Sequence, residues 1–166
     1  MTDIDARLRE LGEGVDPAVA SFVFLEARLA DEARYEEWEA HWDDEATYWV
    51  PARPDADPER HISYIYDNRR RIHSRIAQLK TGDRHAQTPP SSMRRIVSNL
   101  EVVDRDDDSV TIGSNFVLFE HRTAMNVWAG RYLHCIRTRA DGLRLAAKTV
   151  HLVNADAALP TIAFLI

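Results

Sequence analysis

The stretch that decides the fold is residues 109–153, SVTIGSNFVLFEHRTAMNVWAGRYLHCIRTRADGLRLAAKTVHLV. Three strand-like segments lie within it, at 109–120, 125–138 and 143–153. In the first segment the apolar residues recur at alternate positions, which is typical of a half-buried strand, and Val110, Ile112, Phe116 and Leu118 share one face. The turns between the segments are short, and Asp141-Gly142 is a hairpin signal. The stretch therefore predicts a run of long antiparallel strands.

The last of these segments alternates between two faces. Leu143, Leu145 and Ala147 are predicted to lie on one face of the strand. The opposite face is predicted to carry Arg144, Ala146 and Lys148.

Two further strands are predicted upstream. Residues 94–103 alternate in the same way, and the charged run 104–108 separates them from the next strand. Residues 46–51 form a short aromatic and β-branched segment that ends at a proline.

The first half of the chain is predicted to be helical. Asp16-Pro17 is a helix start for residues 17–30, and Asp31 opens a short second helix with Tyr35, Trp38 and Trp42 at helical spacing. Isoleucines at spacings of three, four and seven predict a third helix from His61 to Leu79, which Thr81-Gly82-Asp83 ends. The expected fold is α+β: a strongly curved, mostly antiparallel sheet with helices on one side. We expect a polar N-terminal arm at residues 1–16, followed by a single domain at residues 17–166.

Composition excludes several classes of protein. A chain of 166 residues can bury about 70% of its unfolded surface, so its fold needs no disulfide bridge or structural metal ion. The net charge of -6 argues against a general nucleic-acid binder, and no run approaches the ~18 apolar residues that span a bilayer. The polar N-terminus does not resemble a signal peptide, so a cytoplasmic location is expected. The single cysteine, Cys135, excludes an intrachain disulfide and a cysteine-ligated iron–sulfur cluster.

Motifs for catalysis are absent from the sequence. The seven histidines form no His-x-x-x-His or His-Glu-x-x-His pattern, so no metal site is predicted, although spacing leaves open a triad assembled from different strands. There is no nucleophile elbow and no phosphate-binding glycine loop. Cys135 lies in an apolar strand segment and is interpreted as a buried small hydrophobe.

Acid–base catalysis inside the curved sheet is an alternative. The residues that could supply a general acid and base are Asp31, Tyr48, His85 and His134, with Asp43 and Asp44 as further carboxylates. Each also has a structural interpretation, because Asp31 is a helix cap, the other carboxylates end a helix, and Tyr48 is a packed aromatic residue. The structural interpretation is preferred, and no catalytic residue is predicted.

Short motifs along nearly the whole chain resemble one family, the small (β) subunit of aromatic-ring-hydroxylating, Rieske-type dioxygenases. They occur in the family's order, and their agreement in order and separation makes the resemblance specific. They are Phe24–Asp31 (FLEARLAD), Tyr35–Trp38 (YEEW), Tyr48–Pro51 (YWVP), Leu79–Gly82 (LKTG), Pro89–Ser91 (PPS), Arg94–Leu100 (RRIVSNL), Ser114–Phe116 (SNF), Lys148–Val150 (KTV) and Leu159-Pro160.

The resemblance implies an NTF2-like cone and a non-catalytic role in assembling a larger oxygenase. It implies a large (α) subunit as partner, which would carry the Rieske [2Fe-2S] cluster and a mononuclear non-haem iron. The holoenzyme would convert an aromatic ring to a cis-dihydrodiol with O₂ and electrons from NAD(P)H. The family's assemblies are usually three-fold, with the small subunits forming a trimer. Residues 62–69 resemble members that act on aromatic acids such as benzoate.

Arginines and the apolar tail are the candidate interface. They comprise Arg70, Arg71, Arg75, Arg94, Arg95, Phe164, Leu165 and Ile166. No cofactor or metal ligand is expected in this chain. Two other hypotheses stay open: a stand-alone cone-fold dehydratase or isomerase, and a ligand-binding module without chemistry.

Overall fold

The computed structural model describes residues 14–81 and 89–166. Three helices lie in the first half of the chain: α1 (Pro17–Asp31), α2 (Tyr35–Ala40) and α3 (Arg69–Thr81). The strands are β1 (Trp42–Pro51), β2 (Ser63–Asn68), β3 (Ser92–Arg105), β4 (Ser109–His121), β5 (Met125–Arg139) and β6 (Gly142–Leu152).

The six strands form one curved, unclosed sheet in the order β2-β1-β6-β5-β4-β3. All neighbours are antiparallel except β1 and β6, which run parallel. The predicted α+β cone with a mostly antiparallel sheet is confirmed. The four long strands predicted from 94 to 153 are present within one or two residues of the expected bounds.

Helix α1 begins as predicted. The Asp16 carboxylate accepts a hydrogen bond from the Ala18 amide at 2.7 Å, and Pro17 opens the helix. Its buried face carries Val19, Val23 and Ala30, which pack against the inner side of the sheet.

The predicted helix from His61 to Leu79 is wrong over its first eight residues. Residues 63–68 form β2, which pairs antiparallel with β1, and α3 begins only at Arg69. Buried and non-buried residues alternate along Ser-Tyr-Ile-Tyr-Asp-Asn, and Ile62 is 84% exposed. Ile62 and Ile65 extend the helical spacing of the isoleucines that follow, so the spacing favoured a helix. Residues three apart lie on opposite faces of an extended chain, and here Ile62 is exposed whereas Ile65 is buried.

The second helix also ends earlier than predicted. It stops at Ala40, and Trp42 begins β1, so Asp43 and its neighbours lie on a strand and do not end a helix. The Leu145 amide donates to the His41 carbonyl at 2.8 Å, which ties this helix end to β6. The predicted stop of the third helix at Gly82-Asp83 lies outside the described residues.

The predicted faces of β6 are wrong beyond Leu145. Leu145 and Ala146 are both buried, so the alternation changes phase there and Lys148 is buried instead of exposed. The pairing of β5 with β6 shifts register between Cys135 and Ile136, and such a bulge turns the following side chains to the other face.

Candidate functional site: a buried charge cluster and an exposed sheet face

A carboxylate lies at the centre of the cone. Glu26 is on the buried face of α1 and is fully inaccessible to solvent. Its Oε1 accepts hydrogen bonds from Trp38 Nε1 at 2.6 Å and from Lys148 Nζ at 2.9 Å. Glu26 lies on α1 and Lys148 on β6, and both side chains are fully buried. The ion pair therefore links the helix to the strand inside the core.

The charges of this pair depend on each other. Burial alone would raise the pKa of Glu26, but the Lys148 ammonium, together with His134 and Arg95, outweighs burial and holds that pKa well below its ordinary value. Burial lowers the pKa of Lys148 to about 8, against the opposing attraction of Glu26. Lys148 Nζ also lies 4.4 Å from the centre of the Tyr132 ring, within cation–π range.

His134 faces Lys148 across the β5–β6 ladder. Its Nε2 is 3.6 Å from Glu26 Oε2, which is beyond hydrogen-bond distance. Neither ring nitrogen of His134 has a hydrogen-bond partner among residues 14–81 and 89–166. Burial lowers the pKa of His134 below its ordinary value of 6.5, so the ring is neutral at pH 7.

A second buried ion pair joins the end of α1 to β3. Arg95 Nε donates to Asp31 Oδ1 at 2.7 Å, and the Arg95 amide donates to Asp31 Oδ2 at 2.8 Å. The remaining guanidinium nitrogens donate to the Tyr132 hydroxyl at 3.1 Å and to the Leu165 carbonyl at 2.7 Å. The Arg95 side chain is only 1% exposed, so its charge is satisfied inside the protein.

The C-terminal tail fills the cone. Phe164, Leu165 and Ile166 are buried, although residues 162–166 have no helix or strand structure. The Tyr48 hydroxyl donates to the Ile166 carbonyl oxygen at 2.8 Å and accepts from the Ile166 amide at 3.0 Å. The tail is therefore part of the chain's own core.

The three described residues of the acid–base hypothesis do not form one site. Asp31 pairs with Arg95, Tyr48 holds the tail, and His134 lies beside Glu26. His85 lies outside the described residues. Asp31 and His134, which the acid–base alternative could have paired, each contact a different residue.

Sequence reasoning missed the central pair. Glu26 interrupts the apolar face that Val19, Val23 and Ala30 define, and a charge at such a position signals a buried partner. Lys148 was assigned to the wrong face because the alternation of apolar and polar residues does not reveal the bulge at Ala146 in β6.

The interface prediction needs a correction. Arg95 is buried, Arg75 is bound to Asp67 at 2.7 Å, and the side chains of Phe164, Leu165 and Ile166 lie in the core. An intramolecular role therefore replaces the predicted docking role for the tail and for Arg95. Of the predicted set, the side chains that remain exposed are Arg70, Arg71 and Arg94.

The outer sheet face, defined by Ile96, Phe119, Met125 and Val127, is apolar and open. These side chains are exposed by 61%, 40%, 62% and 60%, respectively. The register places Phe119 directly opposite Val127 on β5, with Arg94 on the other side, so the patch crosses three strands. A contiguous exposed apolar patch of this kind is typical of a protein–protein interface.

The part of the chain that the structure describes contains no group of three or more His, Cys, Asp or Glu side chains placed to hold a metal ion. Within the same residues, no helix is both long enough and apolar enough to cross a membrane.

Sequence comparison relates this chain to a known group of subunits. Residues 25–157 match the family model described as ring hydroxylating beta subunit. The small subunit of 2-halobenzoate 1,2-dioxygenase from Burkholderia cepacia is 29% identical over 143 residues, covering 82% of this chain and 87% of that protein. The beta subunit of toluate 1,2-dioxygenase from Pseudomonas putida is 32% identical over 144 residues, covering 82% and 89%.

Solved structures share the fold. The beta subunit of benzoate 1,2-dioxygenase from Burkholderia mallei matches with a TM-score of 0.73 and 23% identity, covering 92% of this chain and 99% of that chain. A chain of naphthalene 1,2-dioxygenase with indole bound matches with a TM-score of 0.76 and 16% identity, covering 100% and 95%.

Proposed function

The chain belongs to the ring hydroxylating beta subunit family, and on that premise we propose that it is the non-catalytic assembly subunit of a cytoplasmic aromatic-ring dioxygenase. Its curated relatives are small subunits of oxidoreductases that act as complexes. In the proposed complex, a large subunit adds both atoms of O₂ to the ring with electrons from NAD(P)H.

The observation that carries the non-catalytic role is the filled cone. The ion pairs Glu26–Lys148 and Asp31–Arg95 are buried inside the protein, and the buried tail packs in the same core. A general acid and base must reach a substrate, but these buried side chains contact one another, Trp38, Tyr132 and the tail. The arrangement therefore favours assembly over the alternative of a dehydratase or isomerase.

The redox groups are proposed to lie in the large subunit. A Rieske cluster is held by two cysteines and two histidines, whereas this chain has the single cysteine Cys135. The residues present do not fit the cluster, so no electron-transfer step is assigned to this chain. The mononuclear iron is likewise proposed to belong to the partner.

Self-association is proposed to use the outer sheet face. The exposed side chains of Ile96, Phe119, Met125 and Val127 would be buried against further copies of the chain in a trimer. The exposed arginines Arg70, Arg71 and Arg94 are proposed to meet carboxylates of the large subunit, because a guanidinium binds a carboxylate with two parallel hydrogen bonds.

The substrate class proposed for the complex is an aromatic carboxylate. The curated relatives are named for 2-halobenzoate, toluate and benzoate, which all carry a carboxylate on a benzene ring. The support is the names of these relatives, and the proposal assigns no substrate contact to this chain.

Co-expression with a large-subunit gene from the same genome tests the assignment. The two proteins are expected to co-purify, and the large subunit expressed alone is expected to be insoluble or to have reduced ring-dihydroxylation activity. A fully active, soluble large subunit that does not retain this chain would contradict the proposal.

A further inference from the structure

A second group of exposed aromatic side chains lies at the β2 edge of the sheet. We call it the tyrosine patch and define it by Trp49, Tyr64 and Tyr66. The two tyrosines are exposed by 38% and 44%, and Trp49 is half-buried. The Trp49 and Tyr66 rings meet at 72°, with their centres 6.4 Å apart. Tyrosine and tryptophan are enriched at protein interfaces because they combine a large apolar surface with a polar group.

The tyrosine patch faces the same side of the sheet as the outer sheet face. The strand register runs from Tyr66 to Trp49, then to Thr149 on β6 and to Leu133 on β5. Leu133 and Val127 are separated by an even number of residues along an unbroken β4–β5 ladder. Their side chains therefore point to the same side, since successive side chains of a strand alternate.

An ion pair separates the two apolar patches. Arg131 of β5 binds Glu101 of β3 across Gly113 of β4, and both charged side chains are partly exposed. Gly113 makes room for this contact, because a Cβ there would overlap the Arg131 guanidinium. A single partner that covered both patches would have to cover this ion pair as well, at a cost in desolvation. The arrangement therefore favours a separate neighbour for each patch.

A three-fold ring needs two different surfaces on every copy. Head-to-tail contacts join one surface to a different surface of the next copy, whereas a surface that pairs with itself closes as a dimer. Outside the two patches, the exposed large apolar side chains among residues 14–81 and 89–166 are Phe24 on α1, Ile62 before β2, Val103 near the end of β3 and Val153 after β6. They lie on different elements, so the tyrosine patch is the best counterpart for the outer sheet face within these residues.

The rims of the two patches carry opposite charges. The hairpin that contains Met125 of the outer sheet face, residues 121–125, carries Arg122 and no carboxylate. The Tyr64 hydroxyl donates to the carbonyls of Ala155 at 2.8 Å and Ala157 at 3.2 Å, and the exposed Asp156 lies between them. The rim of the tyrosine patch is therefore acidic where the rim of the other patch is basic.

We propose that the tyrosine patch of one copy covers the outer sheet face of the next copy, and that three such contacts close a head-to-tail ring. In this contact Asp156 of one copy lies toward Arg122 of its neighbour. The inference rests on the self-association proposed above and adds the surface that receives the outer sheet face.

Sedimentation velocity of a Tyr66→Lys variant tests the second surface, with folding checked by circular dichroism. The variant is expected to shift from the ring to a 19.0 kDa monomer, because the contact would bury the lysine without a partner. The Phe119→Lys/Val127→Lys variant is expected to show the same shift, since a ring needs both surfaces.

Ile62→Lys is the matched control for the added charge. The register shift between Val50 and Pro51 pairs Ser63 with Pro51, so Ile62 does not continue the side that Tyr66 occupies, and the ring is expected to persist. A folded Tyr66→Lys variant that stays in the ring overturns the head-to-tail contact and leaves self-association through the outer sheet face intact. A monomeric wild-type chain overturns both, without bearing on co-purification with the large subunit.

Cross-linking decides the arrangement if Tyr66→Lys does not fold. Tyr66→Cys and Phe119→Cys are combined in a Cys135→Ser background and treated with a bismaleimide. Within one chain these positions are four strands apart, about 19 Å across the sheet, so a shorter linker joins only different copies. The combined variant is expected to give covalent dimers and trimers on a denaturing gel, whereas each single-cysteine variant stays monomeric. Dimers of Phe119→Cys alone would show a self-complementary contact and overturn the proposal, as would a combined variant that stays monomeric.

Discussion

At the scale of single residues, the fold depends on a buried ion pair between α1 and β6. Glu26 and Lys148 are both inaccessible to solvent, and the carboxylate also accepts from Trp38. An ion pair in this setting contributes little net stability compared with a well-packed apolar pair, because both charges lose their hydration. Removing one partner is costly, since the other charge is then buried without compensation.

A double-mutant cycle measures this dependence. Glu26→Gln and Lys148→Met are each expected to lower the free energy of unfolding by about 3–5 kcal/mol. The double variant is expected to lose about 1–3 kcal/mol less than the sum of the two single losses. Urea unfolding of the four proteins at pH 7 provides the values. Simple additivity would show that the two side chains do not act as a pair.

The pH dependence of stability follows from Glu26. Its pKa is below the ordinary value of 4.5 in the folded protein, so the unfolded chain binds more protons as the pH falls. The stability from Glu26 is therefore fully present above pH 4.5 and is lost progressively below it. The stability difference between the wild type and Glu26→Gln is expected to shrink from pH 5 to pH 3 in urea titrations. A constant difference would contradict the lowered pKa.

At the scale of elements, the bounds of the long strands follow from the alternation of apolar and polar residues. Which side chains of a strand face the core does not follow from that alternation alone. The segments of β3 to β6 are predictable because apolar and polar residues alternate along most of their length. The register shift at Cys135/Ile136 and the parallel pairing of β1 with β6 are tertiary features that no local pattern encodes. Strand β2 was missed because its single isoleucine, Ile65, continues the helical spacing of the isoleucines before and after the strand.

Two glycines of the sheet test how closely the strands approach. A Cβ at Gly130 would overlap the backbone carbonyl oxygen of His151, which cannot move without breaking the β5–β6 ladder. Gly130→Ala is therefore expected to destabilise the protein by about 2–3 kcal/mol.

Gly113→Ala is the matched control on the neighbouring strand. There the added methyl group meets the flexible end of Arg131 and a Val103 methyl group at 2.8 Å, and both side chains can shift. Its cost is expected to stay within about 1 kcal/mol. Thermal unfolding compares the two variants, and equal losses would show that the carbonyl of His151 yields as easily as a side chain.

At the scale of the whole molecule, the chain's own residues fill the interior, whereas the outer sheet face leaves apolar side chains exposed. The ion pairs and the tail complete the core, whereas Ile96, Phe119, Met125 and Val127 leave an apolar patch in solvent. Family membership could be predicted from short motifs. The location of the patch could not, because it depends on which strands lie side by side.

Charged substitutions on this face test its role in assembly. The Phe119→Lys/Val127→Lys variant is expected to reduce the oligomer to a monomer while changing the free energy of unfolding by less than about 1 kcal/mol. Ile62→Lys is the control, since that residue is 84% exposed and precedes the edge strand at the opposite side of the sheet. Sedimentation velocity reports the oligomeric state, and an unchanged oligomer in the double variant would exclude this face.

The most direct test of the assembly role is the molar mass of the complex formed on co-expression with the large subunit, measured by light scattering after size-exclusion chromatography. One species is expected that contains both chains in equal numbers, with three copies of each. A 19.0 kDa monomer of this chain that elutes apart from an intact, active large subunit would contradict it.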